Sequence, residues 1–381
     1  MKKRYIVFVL ALVLFVMTGC SENKTQTVKI AIMGNDAKFY PGFKEGIEKA
    51  AEDVKSEYED SGYNIEYEFY DDGGSYERGS TIIDELSDDK SVTAVIGASN
   101  MEINKTAAYI FDKKKKLFIV PYFLYDSVYS DNHYTTVLSM CHSAKTVGEM
   151  LRQAAAKTDA RRWAVCTADS EFERAEMNGF LQYRENDGIT VVDCADIVSI
   201  KNKFDETYKR WEALGVEGVI MLPRSNEGFE ILKMLKRRNP QLVCGGDTAF
   251  DNSSLLAADE ELRQAMTGFI IADEFPKRIL NGEDKVRLTE ILKEYKNTTG
   301  KDLDSWYFQG YNAFRMAADT AIENKTCNSL EIAQLLHKNG YRGLIQDFGF
   351  DEYGAQTQKS EIYYVFEATG TATEYKFAEQ E

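Results

Sequence analysis

Apolar positions along the chain recur with two periods, and the two periods take turns. Val92, Ala94, Val95 and Ile96 form a short run that stops at Gly97. Ile103, Ala107, Ile110 and Phe111 follow at helical spacing, and Leu117 to Val120 form a second run closed by Pro121. Two short apolar runs joined by an amphipathic helix predict a βαβ unit whose parallel strands are covered on both faces. Before it, Thr27 to Met33 alternates around Val28, Ile30 and Ile32 and predicts the first strand. Phe43, Ile47, Ala50 and Val54 then mark one face of a helix. Ile65 to Tyr70 predicts the next strand, ending at Asp71-Asp72-Gly73-Gly74, and Ile82, Ile83 and Leu86 a second helix.

After Pro121 the alternation resumes. The pattern predicts helices near 143–156, 172–183, 204–214 and 229–235, and strands near 163–166, 189–192, 219–222 and 242–246. From Gly268 it changes, to three helices near 282–297, 304–322 and 329–338 and a strand-like stretch from Ile345 to Phe377. This order predicts an α/β fold of two successive lobes. No internal repeat with a period of roughly 20–50 residues is visible. In open parallel sheets ligands gather outside the carboxyl ends of the strands. The loops at 97–100 and 121–123 are therefore expected to form one wall of a small-molecule cleft.

The chain has 381 residues, 44% of them apolar, enough for two cores. Its charge of −16, from 62 acids against 46 bases, argues against nucleic acid and against electrostatic adhesion to anionic lipid. The first nineteen residues read as an export signal. Lys2, Lys3 and Arg4 precede an apolar stretch from Tyr5 to Val16, too short to span a bilayer. Met17-Thr18-Gly19-Cys20 then resembles the lipobox of bacterial lipoproteins. That reading makes 1–19 a signal peptide, Cys20 the lipidated first residue and 20–26 a polar tether. It places the protein outside the cytoplasm, anchored to the cell membrane by lipid. Five further cysteines, Cys141, Cys166, Cys194, Cys244 and Cys327, include no CxxC pair, so neither a disulfide framework nor a zinc site is indicated. A Cys166–Cys194 bridge remains open.

The phosphate-binding, metalloprotease and serine-hydrolase motifs are absent, and the three histidines, His133, His142 and His337, have no spacing suited to a metal or a triad. No enzymatic activity, cofactor or metal is expected. What remains are loops after predicted strands that carry aromatic and charged groups, the usual make-up of a small-ligand cleft. The candidates are Phe39, Tyr40, Asn100, Glu102, Tyr122 and Phe123 in the first lobe, and Phe172, Arg224 and Asp247 in the second. Three of the five prolines, Pro41, Pro121 and Pro223, stiffen these same loops. Asp247 follows Gly245-Gly246, where the backbone can turn tightly, and a carboxylate buried there requires a cationic partner.

At these residues the chain resembles the type I periplasmic solute-binding proteins of ABC importers, specifically the branched-chain amino-acid (Leu/Ile/Val) group. The resemblance rests on the lipobox, the two α/β lobes, Gly245-Gly246-Asp247, the segment Leu86 to Pro121, Tyr307-Phe308-Gln309-Gly310-Tyr311-Asn312-Ala313 and Phe348-Gly349-Phe350-Asp351-Glu352-Tyr353-Gly354. It implies a two-lobed type I periplasmic-binding-protein fold, with parallel sheets flanked by helices and three hinge crossovers. Lobe one would comprise 27–141 and 276–346, and lobe two 142–275 and 347–377. It implies a small organic ligand, an amino acid or a related polar or aromatic compound, trapped by hinge closure and delivered to an ABC permease. A ligand-sensing regulatory subunit of the same fold is the alternative. By position, Phe39 and Phe172 stand where aromatics cover the ligand, and Asp247 where an acid receives an amino group. The chain departs from the family pattern at Asn100-Met101-Glu102 and Tyr122-Phe123-Leu124, where hydroxyls that hold a carboxylate are expected, and at Glu173, where glycine is expected. Glu102 would repel a ligand carboxylate unless Arg224 or Lys38 offset it.

Overall fold

The computed structural model describes residues 26–34, 41–97, 100–121, 128, 133–182, 187–223, 226–251, 256, 258–273, 282–300, 303, 305–357, 362–369 and 371–376. Cys20, Phe39, Tyr40, Tyr122, Phe123 and Arg224, all expected to carry function, lie outside them.

The first lobe begins with β1 (Gln26–Gly34), α1 (Pro41–Glu57), β2 (Tyr63–Asp71), α2 (Tyr76–Asp88), β3 (Val92–Ile96), α3 (Met101–Lys113), β4 (Leu117–Val120) and β5 (Val137–Ser139). The five strands form one parallel sheet in the order β2-β1-β3-β4-β5. Alternate residues of β1 face opposite ways: Val28, Ile30 and Ile32 enter one apolar cluster, Ala31 and Met33 the other. This is why the sequence shows near-continuous apolar runs at the central strands.

The second lobe follows with α4 (Ala144–Ala156), β6 (Arg162–Thr167), α5 (Glu171–Leu181), β7 (Thr190–Asp196), α6 (Ile197–Asn202), α7 (Phe204–Ala213), β8 (Gly218–Met221), α8 (Asn226–Arg238), β9 (Val243–Gly246), α9 (Glu260–Ala265) and β10 (Ile270–Asp273). The chain continues through α10 (Gly282–Thr299), α11 (Ser305–Glu323), α12 (Ser329–Asn339), β11 (Tyr341–Arg342), β12 (Asp347–Phe348), β13 (Ile362–Phe366) and β14 (Ala372–Lys376). The second sheet has the order β14-β13-β10-β9-β8-β6-β7. It is parallel from β7 to β10, and β13 and β14 add an antiparallel hairpin at its edge.

Three passages join the lobes. The first lies between β5 and α4. The second lies between β10 and α10, because Leu288, Tyr307 and Phe314 pack in the first lobe's core. The third comes after Phe348 and Phe350, which still pack in that core, and before Ile362, which enters the second. It therefore falls later in the chain than the 346/347 boundary expected from the sequence. Ser139 N–H donates to the Gly354 carbonyl (2.8 Å), so the first and third passages run side by side.

Several elements differ from expectation. β5 and β10 are strands of three and four residues that the pattern did not resolve. α6 and α9, of six residues each, are too short to establish helical periodicity. The Cys166–Cys194 bridge does not form: Cys166 pairs in register with Ala195 and Cys194 with Val165. Successive strand residues face opposite ways, so one thiol is buried and the other exposed.

Candidate functional site

The two sheets share one topology. In the first lobe the order reads 2-1-3-4-5, and β7-β6-β8-β9-β10 repeats it in the second. Sheets with this order have a switch point beside the first strand, where neighbouring connections leave toward opposite faces and open a crevice. Here the switch points lie between β1 and β3 and between β6 and β8. Phe39 and Tyr40 stand in the chain after β1 and Asn100 in the loop after β3; Phe172 follows β6 and Arg224 follows β8. Glu102 follows β3 as well, Tyr122 and Phe123 follow β4, and Asp247 follows β9, one strand further along.

The first-lobe rim is set by close packing at the end of β3. A Cβ on Gly97 would lie 2.6 Å from the Phe118 ring and 2.8 Å from Met33 Cγ, so a larger residue there would displace both side chains. Asn100 then caps α3. Its Oδ1 accepts from Glu102 N–H (2.9 Å) and Ile103 N–H (3.3 Å), a standard N-cap. Its amide oxygen is thereby committed to the helix, and Glu102 stands exposed in the first turn.

In the second lobe Ser170 caps α5, its Oγ accepting from Glu173 N–H (3.2 Å) and donating to the Glu173 carboxylate. Both bonds run through the Ser170 hydroxyl, which serves as the N-cap. Glu173, read from sequence as a departure from glycine, is the partner of that cap. The cap holds the first turn of α5, which carries Phe172. The Phe172 side chain is only 2% exposed. Arg174, close by, pairs with Asp169 on the surface.

Asp247 is 1% exposed and caps the 3-10 turn Thr248–Phe250, its Oδ1 accepting from Ala249 N–H (2.9 Å). The preceding Gly246 is required by packing, since a Cβ there would stand 2.5 Å from the Met221 carbonyl oxygen. Two further carboxylates at strand ends are buried that the sequence reading did not single out. Asp273 ends β10, whose Ile271 pairs with Gly246 of β9. Asp72 follows β2, fully buried, with its N–H on the Gly34 carbonyl (2.9 Å) and its Oδ1 accepting from Gly74 N–H (2.7 Å). Burial raises the Asp72 carboxyl above its usual range, and the Gly74 hydrogen bond offsets part of that. In the sequence Asp71-Asp72-Gly73-Gly74 only marks the end of the second predicted strand, and nothing local marks Asp72 as interior.

At the first passage, Cys141 Sγ donates to the Pro121 carbonyl (3.4 Å) and Gln309 Nε2 donates to Cys141 Sγ (3.3 Å). The end of β4, the passage and α11 are thus tied at one point. Among the described residues no group of His, Cys, Asp and Glu could hold a metal ion, and no helix is long and apolar enough to cross a membrane.

Comparison with known proteins agrees with this geometry. The profile of the family described as "Periplasmic binding protein" matches residues 30–373. An ABC transporter substrate-binding protein from Desulfitobacterium hafniense, solved in complex with Leu, superposes with a TM-score of 0.77 at 20% identity, covering 92% of this chain and 100% of that one. LivJ from Streptococcus pneumoniae, a branched-chain amino-acid substrate-binding protein in complex with isoleucine, gives 0.71 at 14% identity, covering 92% and 99%. A solute-binding protein from R. palustris in complex with benzoate gives 0.71 at 14% identity, covering 92% and 96%. No curated protein matches the chain.

Proposed function

Because the chain belongs to the periplasmic binding protein family, we propose that it is an extracytoplasmic receptor that captures a small organic solute between its lobes and delivers it to an ABC permease. The solute would lie across the two switch points. Phe39 and Tyr40 from the first lobe and Phe172 from the second would cover it, and Asp247 would receive a cationic group. Asn100, Glu102, Tyr122, Phe123 and Arg224 would complete the wall. The observation that supports this reading most is that an aromatic and a carboxylate that follow strands of one sheet, Phe172 after β6 and Asp247 after β9, are both buried. A buried carboxylate gains most from a charge-bearing partner, and an aromatic face suits an apolar or cationic one.

Structural relatives hold leucine, isoleucine and benzoate, which sets the size of solute to test. Glu102 at the rim disfavours a bare carboxylate, so amines and amides come before acids. The cleft would close by hinge motion about the three passages, with lobe one drawn from 27–141 and 276–346 together with the Phe348–Phe350 segment described above. Cys20 would carry the lipid anchor, with 20–26 as tether.

A thermal-shift screen of the chain from Ser21 onward tests the reading, against amino acids, polyamines, amides, aromatic acids and nucleosides. A ligand at 100 times its dissociation constant should add about 2.7 kcal/mol of stability. If no compound of these classes raises the melting temperature, the receptor reading fails. For the anchor, Cys20→Ala should release the protein from cells into the medium.

A further inference from the structure

A cavity lies away from the strand ends, in the helical side of lobe one. It has a volume of about 330 Å³ and is lined by α10, α11, the end of α12 and the turn into β11. Its wall carries Arg287, Tyr311, Arg315, Asp319, Thr320 and Glu323. Four of these, Tyr311, Arg315, Asp319 and Glu323, recur at four-residue steps along α11 and so share one helix face.

Arg315 and Asp319 are 9% and 7% exposed. They bind each other through Arg315 Nε and Asp319 Oδ2 (2.8 Å). Arg315 Nη2 donates to Glu57 (2.7 Å), and Tyr341 O–H donates to the same Asp319 Oδ2 (2.9 Å). This leaves Arg315 Nη1 and Asp319 Oδ1, one donor and one acceptor, both buried and without a hydrogen-bond partner among the described residues. A buried polar atom left unmet costs roughly 1–3 kcal/mol, more when charged. At the mouth, exposed Arg287 donates to Tyr311 Oη (3.3 Å), and Glu323 accepts from Tyr58 on one oxygen (3.0 Å). The cavity therefore offers guanidinium donors and carboxylate acceptors within one wall.

We propose that this cavity is a second binding site, separate from the cleft, for a small carboxylic acid with an adjacent hydroxyl or ammonium group. The ligand carboxylate meets Arg287 and Arg315, whose planar forks suit a carboxylate. The neighbouring donor meets Asp319 and Glu323. A volume of about 330 Å³ admits a molecule of this size.

The test is a thermal-shift and calorimetric titration of the mature chain with L-serine and lactate, which carry both functions, and with acetate and ethanolamine, which carry one each. Serine or lactate is expected to bind at least tenfold more tightly than either single-function probe. That response should vanish in Thr320→Phe, which fills the cavity, and fall at least tenfold in Arg287→Gln, whose exposed side chain can change without loss of fold. It should persist in Asp247→Ala. Absence of any response in the unsubstituted chain overturns the proposal. So does a response lost in Asp247→Ala, or one retained in Arg287→Gln.

Discussion

Gly46 and Gly310 meet back to back where α1 crosses α11. A Cβ on Gly46 would stand 2.1 Å from the Tyr307 carbonyl oxygen, and one on Gly310 2.1 Å from that of Phe43. The second lobe uses the same device between α4 and α5, where Gly148 would meet the Glu176 oxygen at 1.9 Å and Gly179 the Lys145 oxygen at 2.0 Å. In both lobes the helix after the first strand is thus pressed backbone to backbone against a neighbour. A carbonyl cannot rotate out of the way, so a methyl group must separate the helices. Overpacking of this kind costs typically 1–3 kcal/mol and occasionally more. Gly310→Ala is expected at about 3 kcal/mol or above, read from the urea midpoint, with Gly148→Ala similar. A change below about 0.5 kcal/mol would mean the crossing is looser than described.

The proposed cationic contact makes Asp247 the residue whose loss should matter most to binding. Truncating one partner of a buried, hydrogen-bonded charge pair costs about 2 kcal/mol or more, roughly thirty-fold in Kd. Asp247→Ala should therefore weaken an amine ligand by at least that factor in calorimetry. Unchanged affinity would move the cation elsewhere.

Ser170 supports Phe172 through the cap of α5. Ser170→Ala removes the capping oxygen, at about 1 kcal/mol of stability. The first turn should also loosen, so ligand affinity is expected to fall with the urea midpoint. Loss of stability with affinity intact would separate the cap from the site.

Asp112 gives a pH dependence with a definite sign. Burial pushes its carboxyl upward, but hydrogen bonds from Thr135 N–H (2.7 Å), Thr136 N–H (2.9 Å) and both hydroxyls (3.0 Å each) outweigh this and hold it below the usual range. A depressed folded-state pKa contributes stability above the unfolded value, about 3.9, and that stability is lost as pH falls through the folded value. Asp112→Asn should be less stable at pH 7 and should lose less stability than the parent between about pH 4 and 2. Parallel pH curves would remove Asp112 from the acid response.

Much of this architecture can be read along the chain because each central strand is buried on both faces. Val92–Ile96 and Leu117–Val120 are buried throughout, so they leave unbroken apolar runs that need no knowledge of their neighbours. The helices α10, α11 and α12 also fall close to the ranges expected from the sequence. The bond between Ser170 and Glu173, by contrast, leaves no mark in the sequence, where Glu173 stands out only as a departure from the family's glycine. Gly245-Gly246 before Asp247 was expected to allow a tight turn, but both residues end strand β9, and Gly246 is required instead by its approach to the Met221 carbonyl of β8.

Strand order was not written in any local pattern. The 2-1-3-4-5 arrangement in both lobes, and with it the switch points, arises from pairings such as Ile32 with Ile96 and Trp163 with Gly218. Those contacts join segments tens of residues apart and leave no trace in periodicity. Asp72 shows the same division: its Asp-Asp-Gly-Gly context specifies a turn, while its burial follows from β1 lying alongside β2 and presenting the Gly34 carbonyl. Periodicity and turn chemistry act over a few residues and so survive in sequence; burial of a polar group depends on which distant segment closes over it.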